Sequence, residues 1–258
     1  MKTSLGFRTL PLALSMMMAV VGAQSEQHRT IQIGEFTQPV QISLQVGDTL
    51  HIVLSATPST GYSWHVVSST SSLKAMSSSN TPGAPRRPGA AGTQTLVLKA
   101  VSPGKDNLVL DYTRPWEKGK PAARQYTVAV SVGDGAATPV SIRGSTPLGI
   151  YSGKLPCADC SGIQTSIALY AENSAQSPIG YYVRTSEYLG RPTIFIEAGH
   201  LQLQRGTPDD PNQTIYSLKS NTSDHLESYL LQGDMLVPLD TEGKPIQAPF
   251  NLSLKRQP

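Results

Sequence analysis

Two cysteines, Cys157 and Cys160, stand in "LPCADCSGI" and are the only thiols of the 258-residue chain. Their spacing suits a short disulfide, a soft-thiolate metal site or dithiol exchange. Exchange of the thioredoxin kind needs a βαβ setting, and no such pattern surrounds the pair. A copper site with two sulfurs is incomplete, and Met235, His200 and His225 are too scattered along the chain to be nominated as its other ligands. In an oxidising compartment a structural disulfide is the simplest reading. The five histidines (His28, His51, His65, His200, His225) lack metal-motif spacing, and no G-x-S-x-G elbow is present. These residues do not assemble into an enzyme, and no cofactor is expected beyond that copper option.

A second kind of chemistry is offered by three loops. In "SATPSTGYSW", residues 55–64, a strand-like run stops, passes a proline, two hydroxyl residues and a glycine, and resumes with aromatics. Pro58 fixes φ and removes a donor. Gly61 can take φ > 0, so the chain can reverse and leave Ser59 and Thr60 at a tip. Downstream lie "GAAG" (Gly89, Ala90, Ala91, Gly92) and "RPW" (Arg114, Pro115, Trp116). Taken singly, the first loop is an ordinary turn, Tyr62 and Trp64 read as core aromatics, and Trp116 suits a core or an exposed anchor equally.

The elements that position these loops read as strands. From Ile31 to Val132 apolar residues alternate with polar ones, as in Val40-Ile42-Leu44-Val46 and Tyr126-Val128-Val130-Val132. Period two marks half-buried strands, and several short ones with turns between them suggest a sandwich. Residues 68–94, rich in Ser, Gly, Pro and Ala, and residues 113–123 are expected to be long loops. A small, flexible linker is expected over 134–146. The second half restarts near Gly149. Further strands are expected at 181–185, 193–196, 200–204, 214–218, 228–232, 235–239 and 250–254, which could close into an up-and-down barrel. The fold class is therefore all-β. The domains are expected at 24–133 and 147–258.

The first 23 residues stand apart. Lys2 and Arg8 precede the apolar run Leu10–Gly22, which ends at Ala23. This is the pattern of a secretory signal peptide cleaved after about Ala23. The run is short for a bilayer span, and no stable membrane anchor is expected. The protein is thus expected to be periplasmic or secreted. Ten basic and seven acidic residues give 24–135 a charge of +3, while nine basic and eleven acidic give 136–258 a charge of −2. Neither half carries the charge of a nucleic-acid binder.

The three loops in this order resemble the chagasin family of cysteine-protease inhibitors, whose pattern is Asn-Pro-Thr-Thr-Gly-Tyr, Gly-x-Gly-Gly and Arg-Pro-Trp on an immunoglobulin-like sandwich. The resemblance covers roughly residues 30–133. It implies papain-like cysteine proteases as partners. Thr57, Pro58, Ser59, Thr60, Gly61 and Tyr62 would form the central wedge, with Thr60 nearest the protease nucleophile. Gly89, Ala90, Ala91 and Gly92 would approach one cleft wall, and Arg114, Pro115 and Trp116 the other. Thr57 stands where the family has Asn, and Ala91 where it has Gly. The segment "GIYSGKLPCADCSGI" resembles the N-terminal domain of the NlpE family, envelope lipoproteins linked to copper resistance, over roughly 147–255. That likeness implies a lipocalin-like barrel. It also implies a competing reading, an envelope stress or copper-handling protein acting through Cys157 and Cys160.

Overall fold

The computed structural model describes residues 28–83, 90–133, 140–172, 178–206, 210–221 and 226–258. The expected signal peptide, Gly89, His225 and residues 134–139 of the expected linker lie outside the described residues. Among the described residues there are strands and one 3-10 turn, and no α-helix. In chain order the first strands are β1 (Thr30–Ile33), β2 (Val40–Leu44), β3 (Thr49–Ala56), β4 (Ser63–Val66), β5 (Leu73–Thr81) and β6 (Gly92–Ala100). Next come β7 (Gly104–Thr113), β8 (Arg124–Val132), β9 (Val140–Ile142), β10 (Gly149–Leu155), β11 (Ile163–Ala171) and β12 (Ile179–Tyr188). The chain ends with β13 (Thr193–Arg205), β14 (Thr214–Ser220), β15 (Leu226–Gln232), β16 (Met235–Leu239) and β17 (Leu254–Arg256).

The first lobe is a sandwich. One layer runs β1-β3-β6-β5 and the other β4-β7-β8-β2-β9. Alternation explains the packing: Ile31, Ile33, Ile42, Leu44, Leu50, Ile52, Leu54, Leu108 and Leu110 point between the layers and are fully buried or nearly so. The second lobe is a closed eight-stranded barrel, β12-β11-β10-β17-β16-β15-β14-β13, sealed by β12 pairing with β13. Its interior holds Ile167, Leu169, Leu218 and Leu236 together with Tyr151, Tyr182, Tyr216 and Tyr229.

Three details differ from the sequence expectation. Residues 73–81, expected within a loop, form β5. It is an edge strand paired only with β6, and eight of its nine residues are exposed. With only Leu73 buried, its sequence carries no alternation to read. The strands expected at 193–196 and 200–204 are one continuous β13, because Glu197 to Gly199 keep pairing with β12. The last strand is Leu254–Arg256 rather than 250–254.

The lobes are joined by more than a linker. β1 lies parallel between β3 and β13, with Ile33 level with Ile52 on one side and Ile196 on the other. Val140–Ile142, within the expected linker, pairs with β2. Tyr170, Val183, Ile194 and Ile196 of the barrel belong to the same buried cluster as the sandwich residues. Asp48, fully buried, pins the start of β1: its carboxylate accepts from the Arg29 backbone N–H at 2.9 Å, from Arg29 Nη2 at 2.8 Å and from the Gln45 N–H at 2.8 Å.

A shared core predicts shared melting. Ile196→Ala is expected to cost about 2–4 kcal/mol. Both tryptophans belong to the sandwich lobe, so their fluorescence follows that lobe, and the loss should appear there although the substitution is in the barrel. An unchanged tryptophan transition would show that the lobes unfold independently.

Candidate functional site

The stretch after β3 folds as a tight 3-10 turn, Pro58–Thr60. The Thr57 carbonyl accepts from the Thr60 N–H at 3.0 Å and from Thr60 Oγ1 at 2.6 Å, and the Pro58 carbonyl accepts from the Gly61 N–H at 2.9 Å. The Thr57 side chain makes no capping bond. The side-chain brace of the turn comes from the hydroxyl of Thr60. The Thr57 N–H instead donates to the Tyr112 hydroxyl at 2.7 Å, which ties the turn to β7. Pro58, Ser59 and Thr60 are exposed, whereas Thr57, Gly61 and Tyr62 are half-buried.

Gly61 ends the turn with φ +81°. A Cβ here would sit 2.1 Å from Trp116 Cη2. Two requirements thus meet at one residue: left-handed backbone, which L side chains resist, and contact with an indole. Trp116 is nevertheless 65% exposed, so most of its surface faces outward. Arg114 locks the same pair of loops. Its Nε donates to the Thr60 carbonyl at 2.9 Å, and its guanidinium lies 4.3 Å from the centre of the Tyr62 ring. Glu117 bonds both Arg114 and Lys120. The Lys120 ammonium foremost, and Arg114 with it, hold the Glu117 carboxyl below its ordinary range despite partial desolvation.

Beneath the loops is an aromatic stack that sequence reasoning did not assign. Tyr62 stacks on Tyr112 at 5.1 Å, Trp64 tilts against Tyr112 at 4.9 Å, and Arg124 covers Tyr112 at 4.5 Å and Trp64 at 5.0 Å. Trp64 is buried, and its Nε1 donates to the Ser55 carbonyl at 3.1 Å. Gln94, also buried, accepts from the Trp64 N–H at 2.7 Å and donates to the Trp64 carbonyl at 3.0 Å. Strand pairing builds this support, since Arg124 opens β8 directly opposite Tyr112.

The middle loop is only partly described. Ala90 is half-buried and Ala91 exposed. Gly92 serves its own hairpin, because a Cβ there would meet the Thr81 carbonyl at 2.3 Å. The strand pair Ala56–Gly92 puts the base of this loop beside that of the first. Cys157 and Cys160 form a disulfide with Cα atoms 5.3 Å apart, in the barrel turn between β10 and β11. Asp159 in that turn pairs with Arg191 at 2.5 Å.

Comparison with known proteins finds a different family in each half of the chain. Residues 43–130 match the family described as Chagasin family peptidase inhibitor I42, and residues 151–249 the NlpE N-terminal domain. Amoebiasin-2 of Entamoeba histolytica is 30% identical over 112 residues, which are 42% of this chain and 81% of that protein. Lipoprotein NlpE of Escherichia coli is 34% identical over 109 residues, 41% of this chain but only 39% of NlpE. The solved cysteine protease inhibitor EhICP2 from Entamoeba histolytica is 28% identical, with a TM-score of 0.37, covering 41% of this chain and 98% of its own.

Gly61→Ala forces a choice between strained backbone and a displaced indole. A cost of about 1–3 kcal/mol is expected, with a change in the near-UV circular dichroism of Trp116. An unaltered spectrum with an unaltered melting temperature would contradict the Gly61–Trp116 contact.

Proposed function

Because the chain belongs to the chagasin family of peptidase inhibitors through residues 43–130, we propose that it is an exported inhibitor of papain-like cysteine proteases whose three loops enter the active-site cleft. The single observation that carries this reading is the fusion of two loops into one surface, with Trp116 on Gly61 and Arg114 on the Thr60 carbonyl. A tip held this way loses little conformational entropy when it enters a cleft. Three of its carbonyls are engaged inside the inhibitor: Thr57 and Pro58 accept within the turn, and Thr60 accepts from Arg114. A carbonyl so held is not free to swing into an oxyanion hole, where the charge of a tetrahedral intermediate must be stabilised. The tip would therefore lie against the protease thiol without being cleaved. Trp116 would supply a broad aromatic anchor of the kind that dominates interface energetics.

Titration of papain with the chain tests this. Tight, reversible, competitive inhibition is expected, and none at micromolar protein would remove the reading. Trp116→Ala should raise the dissociation constant about tenfold or more, equivalent to about 1.4 kcal/mol. An unchanged constant would show that the third loop is no anchor.

Copper handling at the barrel is the second reading. Ligand atoms of Cys157, Asp159 and Cys160 lie within 4.8 Å of one another. Closed as a disulfide, the two sulfurs offer no thiolate, so only the reduced chain presents a soft donor set. Copper retention should then appear under reducing conditions and be lost in the Cys157→Ser, Cys160→Ser double variant. Equal retention by both chains would remove the thiolate site.

A further inference from the structure

The shared register of β3, β1 and β13 sets the height of the barrel relative to the loops. Ile52 and Ile196 lie level through Ile33. Above that level β3 runs four residues to Ala56 before the first loop begins, while β13 runs nine more to Arg205. Nine extended residues rise about 30 Å. Strand twist of roughly 20–25° per step tilts that rise without reversing it. Past Ile196 the barrel wall continues beside the segment that leaves β1, since Ala198 and Gly199 line one small cavity with Phe36, Thr37 and Gln38.

Between the two walls lies a cleft of about 330 Å³, large enough for a side chain or two. Its sandwich wall includes Gln32, Glu35, Val53, Ser55 and Thr93, and its barrel wall includes Phe195, Glu197 and Asn221. Ser55 pairs with Thr93 one step below Ala56–Gly92, the pair from which the first two loops spring. Two carboxylates line the cleft and, among the described residues, no Lys, Arg or His does. The nearby cations are already engaged. Arg124 approaches Glu35 Oε1 at 3.7 Å while lying over Tyr112 and Trp64, and Arg184, directly opposite Glu197 across β12 and β13, is paired with Glu227. Glu197 Oε1 accepts from the Tyr182 hydroxyl at 2.5 Å. Phe195, 39% exposed, gives the cleft an apolar side.

We propose that this junction cleft is a second contact for the protease held by the loops, and that it receives a basic side chain beside the protease's active site. The inference rests on the inhibitory reading of the loops. It gives the barrel a role in target selection: proteases with a cation at that position associate faster, by electrostatic complementarity at the rim of the interface.

Gln32→Lys tests this away from the loops, by placing a cation where the cleft is expected to receive one. Gln32→Met controls for bulk, and Asn221→Lys repeats the test outside any strand in case a change in β1 disturbs folding. Affinity for papain at low salt should fall about fivefold or more with either lysine, recover toward wild type at high salt, and stay within about twofold for the methionine. If both folded lysine variants match wild type while Trp116→Ala still weakens binding, the loops are used and the cleft is not. If the wild-type chain does not bind papain, the loop reading fails and this one falls with it.

Discussion

Parallel hydrogen bonding of one four-residue strand organises this molecule. β1 is held on one edge by β3, which carries the first loop, and on the other by β13, the longest strand of the barrel. Its two buried residues, Ile31 and Ile33, enter the sandwich core, where they meet Ile194 and Ile196 from the barrel. The sheet is therefore continuous from the barrel to the strand beneath the Pro58–Thr60 turn. Arg29 and Asp48 fix where β1 starts. β1 lies outside both family-matched segments, 43–130 and 151–249, and so does β9.

At the other end of β3, rigidity comes from packing between loops. The turn is short and reverses at Gly61, and exposed turns of that kind would fray if held only by their own hydrogen bonds. Here the Tyr112 hydroxyl takes the entrance, Arg114 takes the Thr60 carbonyl, and the Trp116 ring covers Gly61. The aromatic stack below is closed by Arg124. The loops are thus mounted on the sandwich as a unit, which is what a wedge needs if it is to hold its shape inside a cleft.

The sequence made much of this legible, for physical reasons that can be named. Alternation exposed the core strands because each has one buried face, as in the "VQISL" of β2. The turn chemistry of Pro58 and Gly61 was readable because their backbone limits are intrinsic to the residues. β5 was hidden because "LKAMSSSNT" buries only Leu73. The joining of β1 to β13 was hidden because period two states which face is buried and nothing about which strand lies alongside. The bracing of the tip was hidden for a similar reason. Arg114 and Tyr62 are 52 positions apart in sequence, and stacking across such a gap follows from the completed sandwich.

In the proposed complex the tip formed by Pro58, Ser59 and Thr60 covers the catalytic thiol of a papain-like protease. Alkylation of that thiol by iodoacetamide, timed with and without a saturating amount of the chain, measures this directly. The thiol should be shielded in the complex, and alkylation should proceed only as fast as the complex dissociates. Alkylation at the rate of the free enzyme, with the complex intact, would contradict it.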